Sequence, residues 1–204
     1  MSKINEAIQQ MSIEEMQQRL AEYMAADKEW APKPIAIEVR HRDVKDIVGT
    51  NIYDVIILKD DDTEDVIKFP DRYSKLVYIY TLLHPKGFQR YTLNKPEKRY
   101  PELSSLYSSI FMIGAERLIN YLSKEEKSFN QMMNQAITGV RKAFMGKVGC
   151  EELVIDRPNN NNGRTLIPAV RDGLEVIIDS QLKSHGWVLN MLAFYKKSTS
   201  FLVI

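Results

Sequence analysis

The chain has 204 residues and a formal net charge of +1, with 44% hydrophobic and 27% charged residues, as is typical of a globular protein that buries a core. No apolar stretch is long enough to span a bilayer, and the first residues lack the apolar centre of a signal peptide. The single cysteine, Cys150, excludes an intrachain disulfide and suits a reducing compartment. We therefore expect a cytoplasmic protein without a membrane partner.

The first predicted element is an amphipathic helix over residues 12–27. Ser12 and Glu15 have the spacing of a capping box at a helix start. Apolar residues then recur at helical spacing, at Ile13, Met16, Leu20 and Met24. The prolines of "APKP" cannot continue a helix, so residues 1–34 are predicted to be this helix and a linker.

A small antiparallel sheet is predicted next. The stretch "IAIEVRH" alternates apolar and polar residues from Ile35, and "IYDVIILK" and "DVIKF" flank an acidic "DDDTE" in the pattern of a hairpin. The acidic tip lacks the alternating ligands, central glycine and terminal glutamate of a calcium-binding EF-hand loop. We therefore interpret the tip as a solvated turn.

Three helices are predicted between Pro70 and Val148. The first ends at His84, because Pro85 and Gly87 follow, and the second begins at Pro101 and continues as one long helix. The third covers about residues 127–148 and has an apolar stripe along one side. Its opposite side is polar and basic, with Asn130, Gln131, Asn134, Gln135, Thr138, Arg141 and Lys142.

A β-hairpin is predicted directly after the third helix, in "LVIDRPNNNNGRTLIPAV", with arms at 153–156 and 164–170. The pattern of residues 173–204, a C-terminal extension that ends in the apolar "FLVI", fits either a helix or a strand. The order of sheet, three helices and hairpin predicts an α+β fold. Residues 35–172 would form a domain that ends in a winged helix-turn-helix with a C-terminal β-hairpin wing.

The segment from about Ile35 to Arg171 resembles the winged-helix effector domains of bacterial response regulators. More narrowly, "KLVYIYTLLHPKGF", "ELSSLYSSI", "NQAITGVRKAF" and the hairpin stretch are similar to a set of uncharacterised Bacteroides-type proteins. The resemblance implies an antiparallel sheet, three helices and a hairpin wing, and it implies no established activity. The first 34 residues are too short for a receiver domain, so control by its phosphorylation is not expected.

The charges are distributed unevenly along the chain. Residues 1–69 have 9 Lys and Arg against 15 Asp and Glu, whereas residues 70–172 have 16 against 10. The basic middle segment indicates an anionic partner. The alternative is that the middle segment packs against the acidic front segment and neutralises it.

The polar side of the third helix is the candidate site. In helix-turn-helix proteins the recognition helix enters the major groove, where Asn and Gln pair with adenine and Arg or Lys with guanine. We therefore predict a DNA-binding regulator in which this side contacts double-stranded DNA. Arg157 and Arg164 of the wing would reach phosphates or the minor groove.

The alternative is that the polar side is only solvated and the wing only a turn, because asparagine and glycine suit turns and many winged helices bind proteins or serve as scaffolds. The protein would then be an interaction or assembly module. Residues 12–27 and the C-terminal tail would hold a homodimer or a protein partner.

No constellation of catalytic residues is visible. His41, His84 and His185 lack metal-ligand spacing, and neither a phosphate-binding loop nor a nucleophile elbow is present. The carboxylates next to Cys150 would raise the pKa of its thiol. We therefore predict a non-enzymatic protein without a cofactor or metal.

Tyrosines are concentrated in the basic middle segment. Six of the seven tyrosines in this segment are Tyr73, Tyr78, Tyr80, Tyr91, Tyr100 and Tyr107. We expect them at the edge of the core, because tyrosine buries its ring and leaves its hydroxyl at the surface. The alternative is a patch that faces phosphates or a partner, together with Arg90, Lys95, Lys98 and Arg99.

Overall fold

A computed structural model describes residues 12, 13, 15, 17, 18, 31–42, 51–89, 96–123, 126–147, 149–156 and 163–184. Most of the predicted helix over 12–27 lies outside these residues, but its start is described. The Ser12 amide donates to Glu15 Oε2 at 2.9 Å, and the Glu15 amide donates to Ser12 Oγ at 3.2 Å. This reciprocal pair is a capping box, so the predicted helix start is confirmed.

The described residues form six strands and six α-helices. The strands are β1 (Pro34–His41), β2 (Tyr53–Lys59), β3 (Glu64–Val66), β4 (Phe88–Gln89), β5 (Arg164–Thr165) and β6 (Glu175–Ile178). The helices are α1 (Arg72–Leu82), α2 (Pro96–Phe111), α3 (Glu116–Ser123), α4 (Glu126–Phe144), α5 (Pro168–Arg171) and α6 (Ser180–Ser184). The predicted α+β class is therefore confirmed.

The main sheet has four strands in the order β3-β2-β1-β6. Strands β1, β2 and β3 form the predicted antiparallel meander, and the acidic tip between β2 and β3 is an exposed turn. The purely antiparallel prediction is wrong, because β6 joins β1 in parallel. A parallel pair requires a long crossover, and the helices α1–α4 lie on the connection between β1 and β6.

Helix α1 lies at the centre of the core. Its nine residues from Ser74 to Leu82 are all buried, as expected for a helix that is covered on every side. It packs against α4 and α2, and its start is capped by Asp71, whose side chain accepts from the Ser74 amide.

The predicted second helix is two helices, so the three-helix prediction is wrong. Helix α2 begins at Pro96, five residues before the predicted start, and it ends at Phe111. Met112 then has a φ of 51°, in the left-handed region that ends helices, and α3 follows at Glu116. The two helices bury separate sets of side chains: Leu103, Leu106 and Ile110 on α2, and Leu118 and Leu122 on α3.

The predicted wing is only partly a hairpin. Its first arm contributes one bridge, from the Asp156 amide to the Leu166 carbonyl at 2.9 Å, while Leu153 lies in a 3-10 turn. Its second arm, β5, pairs with β4, which lies between α1 and α2. The arm ends at Pro168 because proline has no N–H for the ladder and suits the first turn of α5.

Candidate nucleic-acid interface

Helix α4 has one buried and one exposed side. Its apolar stripe is buried and consists of Phe129, Met132, Met133, Ala136, Ile137, Val140 and Phe144. The seven predicted site residues of this helix are all exposed: Asn130, Gln131, Asn134, Gln135, Thr138, Arg141 and Lys142. The structure therefore brings these seven onto one solvent-facing surface, which we call the polar face of α4. The helix ends at Phe144, earlier than predicted, because Gly146 has a φ of 80° and leads the chain out of the helix.

Gly139 brings α4 close to the start of α1. A Cβ atom at Gly139 would overlap Ser74 Oγ, and it would lie 3.0 Å from Ser74 Cβ and 3.1 Å from Asp71 Oδ2. Glycine is unfavourable in a helix interior, so its presence here indicates a close approach that no other residue permits. Sequence reasoning missed Gly139, although an interior helix glycine was a usable signal.

A carboxylate lies beside the polar face. Asp71 Oδ1 accepts from the Ser74 amide at 2.8 Å, and Asp71 Oδ2 accepts from Ser74 Oγ at 2.6 Å. An open depression of about 410 Å³ is lined by Pro70, Asp71, Asn134, Gln135, Thr138, Gly139 and Lys142. The cap of α1 thus adds one negative charge to the edge of the predicted site, which the sequence reasoning also missed.

The hydroxyl of Thr138 is already used within α4. Thr138 Oγ1 donates to the Asn134 carbonyl at 2.9 Å, one helical turn earlier. Its proton is therefore committed to the helix backbone, and the hydroxyl is left with acceptor capacity. The amides of Asn130, Gln131 and Gln135 and the cations of Arg141 and Lys142 remain at the exposed surface.

Arg164 is exposed at the base of the wing and lies outside the depression. Its Nη1 donates to the Lys86 carbonyl at 3.0 Å, in the loop between α1 and β4. The neighbouring wing residues Ile155 and Leu166 are buried, so the base of the wing belongs to the core. Arg157 lies outside the described residues.

Lys75 is a buried lysine of α1 with a shifted pKa, and it follows Ser74 directly in the chain. It is 5% exposed, its ammonium donates to the Tyr53 carbonyl, and its Nζ lies 3.9 Å from Asp54 Oδ1. Burial lowers the pKa of Lys75 to about 8, while the charge of Asp54 opposes this shift. A perturbed amine can mark a functional site, but so little exposure points to a structural role for Lys75.

Of the cysteine and the three histidines, Cys150 is part of the core, while His41 and His84 are half-buried. The Cys150 side chain is buried, and burial raises the pKa of its thiol, so the predicted direction is confirmed but the carboxylates are not the main cause. His84 Nδ1 lies 2.8 Å from the Tyr80 carbonyl at the end of α1, and His41 packs edge-on against Tyr53. His185 lies outside the described residues.

The described tyrosines of the basic middle segment belong to the core or its edge. Tyr78, Tyr80 and Tyr107 are buried and Tyr73 is half-buried. The Tyr78 hydroxyl donates to the Leu153 carbonyl at 3.0 Å, and the Tyr80 hydroxyl donates to Glu102 at 3.0 Å. The expected position at the core edge is thus confirmed for Tyr73, while the other three lie deeper. The side chains of the remaining two of the six named tyrosines and their basic neighbours are outside the description.

The described residues contain neither a metal-binding cluster nor a membrane-spanning helix. Among them, no three His, Cys, Asp or Glu side chains are grouped so that they could hold a metal ion. None of the helices in the same residues has both the length and the hydropathy that crossing a bilayer requires.

Comparison with known proteins adds no relative. No protein-family model matches the chain, and no curated protein or solved structure matches it. The resemblance to winged-helix effector domains therefore stays a prediction. The polar face of α4 and the depression beside it are the features from which a function can be proposed.

Proposed function

We propose that the protein is a non-enzymatic winged-helix protein that binds double-stranded DNA through the polar face of α4. The observation that carries this proposal is the composition of that face. It consists of four amides, one hydroxyl and two cations, and the chain has no Asp or Glu between Phe129 and Phe144. Amides and cations are the groups that read base edges and neutralise phosphates.

The packing of α4 supports a rigid presentation of this face. Gly139 allows the start of α1 to touch α4, and Tyr78 of α1 packs against Phe144 with ring centroids 5.4 Å apart. A recognition element must hold its side chains in one orientation, and sites on well-packed helices do so better than sites on loops.

The position of the wing also supports the proposal. Strand β4 follows α1 directly and pairs with β5, so the second arm of the wing is attached to the helical unit that contains α4. Arg164 and Gly163 are exposed at the start of this arm. An exposed arginine on a β-ribbon of the same helical unit is suited to contact with backbone phosphates.

The proposal is tested by fluorescence anisotropy with a random-sequence duplex at several salt concentrations. We expect binding at low salt that weakens steeply as salt rises, because phosphate contacts release counterions. Lys142→Gln should weaken binding and lower the salt slope by about 1. The matched control is Lys33→Gln, which removes one exposed lysine directly before β1 and should leave the slope unchanged. If the full chain does not bind at low salt, the proposal is wrong.

A second candidate function is that of a protein-interaction module, with no nucleic acid bound. Two apolar side chains are exposed on the edge strands of the main sheet, Val66 of β3 at 45% and Ile177 of β6 at 37%. They belong to one row of paired residues across the sheet, which also contains Ile56 and Glu38. Light scattering of the full chain and of chains without residues 1–30 or 199–204 tests this candidate. An unchanged monomer in every case would count against it.

A further inference from the structure

The polar face of α4 has two kinds of side chain, which lie at different positions along the helix. Four amides, Asn130, Gln131, Asn134 and Gln135, lie on its first part, and the cations Arg141 and Lys142 lie near its end. The first part contains no exposed cation between Asn130 and Thr138. The two kinds of side chain therefore reach different places on any partner.

The length of α4 separates the two kinds of side chain, because Arg141 lies six residues, or roughly 9 Å, beyond the last amide, Gln135. A helix rises 1.5 Å per residue, so Asn130 and Gln135 are roughly 7.5 Å apart along the axis, and Asn130 and Arg141 are roughly 16 Å apart. The major groove is about 12 Å wide. Recognition helices contact base edges with their N-terminal residues, so an α4 that docks in this way holds its cations farther from the bases and within reach of the phosphates at the rim of the groove.

The chemistry of an amide selects among the bases. Asn and Gln present a donor and an acceptor side by side, which matches N7 and N6 of adenine, whereas guanine presents two acceptors and is matched by Arg or Lys. Thr138 offers little competition as a donor, because its hydroxyl donates to the Asn134 carbonyl.

We infer that α4 selects DNA sites by their adenines in the major groove, through Asn130, Gln131, Asn134 and Gln135, while Arg141 and Lys142 bind the flanking phosphates. This inference rests on the proposed DNA binding and adds the class of base that is read. Amides supply the sequence preference, and the cations supply affinity that is independent of sequence.

The first experiment is selection of bound duplexes from a random library by the full chain, followed by sequencing. We expect adenine to be enriched at adjacent positions of the recovered site. Recovery of duplexes without enrichment of adenine would overturn the inference and leave the proposed DNA binding intact. Absence of any binding at low salt would remove both.

The second experiment uses 7-deazaadenine, which keeps Watson–Crick pairing and removes the N7 acceptor. Replacement of the selected adenines should weaken wild-type binding about five-fold or more, the lower bound for one bidentate pair. Each amide is then changed to Ala in turn, which is compatible with an exposed helix position. At least one variant should be less sensitive to the modified duplex than the wild type is.

Lys142→Ala is the control for the second experiment, because it removes a cation without adding an amide to the polar face of α4. It should weaken binding to both duplexes by the same factor and keep the preference for adenine. If wild type is insensitive to 7-deazaadenine, or if all four amide variants keep the full sensitivity, the inference is overturned while the proposed DNA binding stands.

Discussion

Helices α1 and α4 lie in contact but differ in how much of their surface is buried. Helix α1 buries nine consecutive residues, whereas α4 buries one stripe and exposes the other. Both need packing to be stable, but of the two only α4 keeps a continuous polar side exposed. Helix α1 is therefore part of the core over most of its length, whereas α4 is held by one side and leaves the other in solvent, where we propose that DNA binds.

The largest expected effect is a cavity in α1. Leu76 is fully buried, so Leu76→Ala should lower the free energy of unfolding by about 2–5 kcal/mol. Gln135→Ala on the exposed side of α4 should change it by less than about 0.5 kcal/mol. Denaturant unfolding measures both values. Equal losses would contradict the division between a buried and an exposed helix.

The next effect concerns the contact between the two helices. Gly139→Ala places a methyl group against Ser74 Oγ and should cost about 1–3 kcal/mol of unfolding free energy through overpacking. Ser74→Ala removes that oxygen, so the double variant should be less destabilised than the sum of the two single variants. Strictly additive losses would show that the helices do not meet at Gly139.

The buried amine of α1 predicts a pH dependence of stability. The pKa of Lys75 is about 8 in the folded chain and 10.5 ordinarily, so between these values the unfolded chain binds a proton that the folded chain does not. Stability should therefore rise with pH in this window. The rise should be about 1–2 kcal/mol between pH 7.5 and 9.5.

Lys75→Met is the comparison that isolates this effect. The variant should lack the rise, and chemical unfolding at the two pH values measures the difference. Above pH 10 the free energy of unfolding should stop rising, because burial raises the pKa of Tyr53 to about 12. The unfolded chain then loses a proton that the folded chain keeps, which favours the unfolded chain. A pH profile shared by wild type and variant would exclude Lys75 as the cause.

The smallest expected effect concerns Asp71, which caps α1 and lines the depression beside the polar face of α4. Asp71→Asn keeps a good cap on α1 and removes the one described carboxylate of the depression beside the polar face. Binding to random duplex at low salt should tighten about two- to five-fold, which is the range for one exposed charge interaction. Anisotropy measures this change.

Asp62→Asn is the matched control for the cap variant. It removes an exposed carboxylate from the tip between β2 and β3, where asparagine tolerates the positive φ of 62°. The same tightening in both variants would show that total charge, and not the position of Asp71, governs binding.

Local patterns predicted the elements that are formed by neighbouring residues. The capping box at Ser12, the strand patterns of β1–β3 and the two sides of α4 all follow from spacings of a few residues, because side chains repeat with a period of two in strands and 3.6 in helices. The residues of the candidate interface on α4 could be identified for the same reason.

The features that were missed depend on contacts between distant residues. Strand β6 is too short to be distinguished by pattern alone, and it forms because β1 offers an open edge in register, with Ile37 beside Val176. The break at Met112 divides a segment whose apolar spacing fits one helix, and it lets α2 and α3 bury separate sides.

The sequence by itself determined which side of α4 is apolar, which of its side chains face solvent and where the first three strands lie. Only the tertiary structure decided that Gly139 brings α1 against α4, that Asp71 borders the polar face and that β5 pairs with β4. The physical reason is that periodicity records how one element meets a core, while the choice of neighbour depends on shape and register between elements that are far apart in the chain.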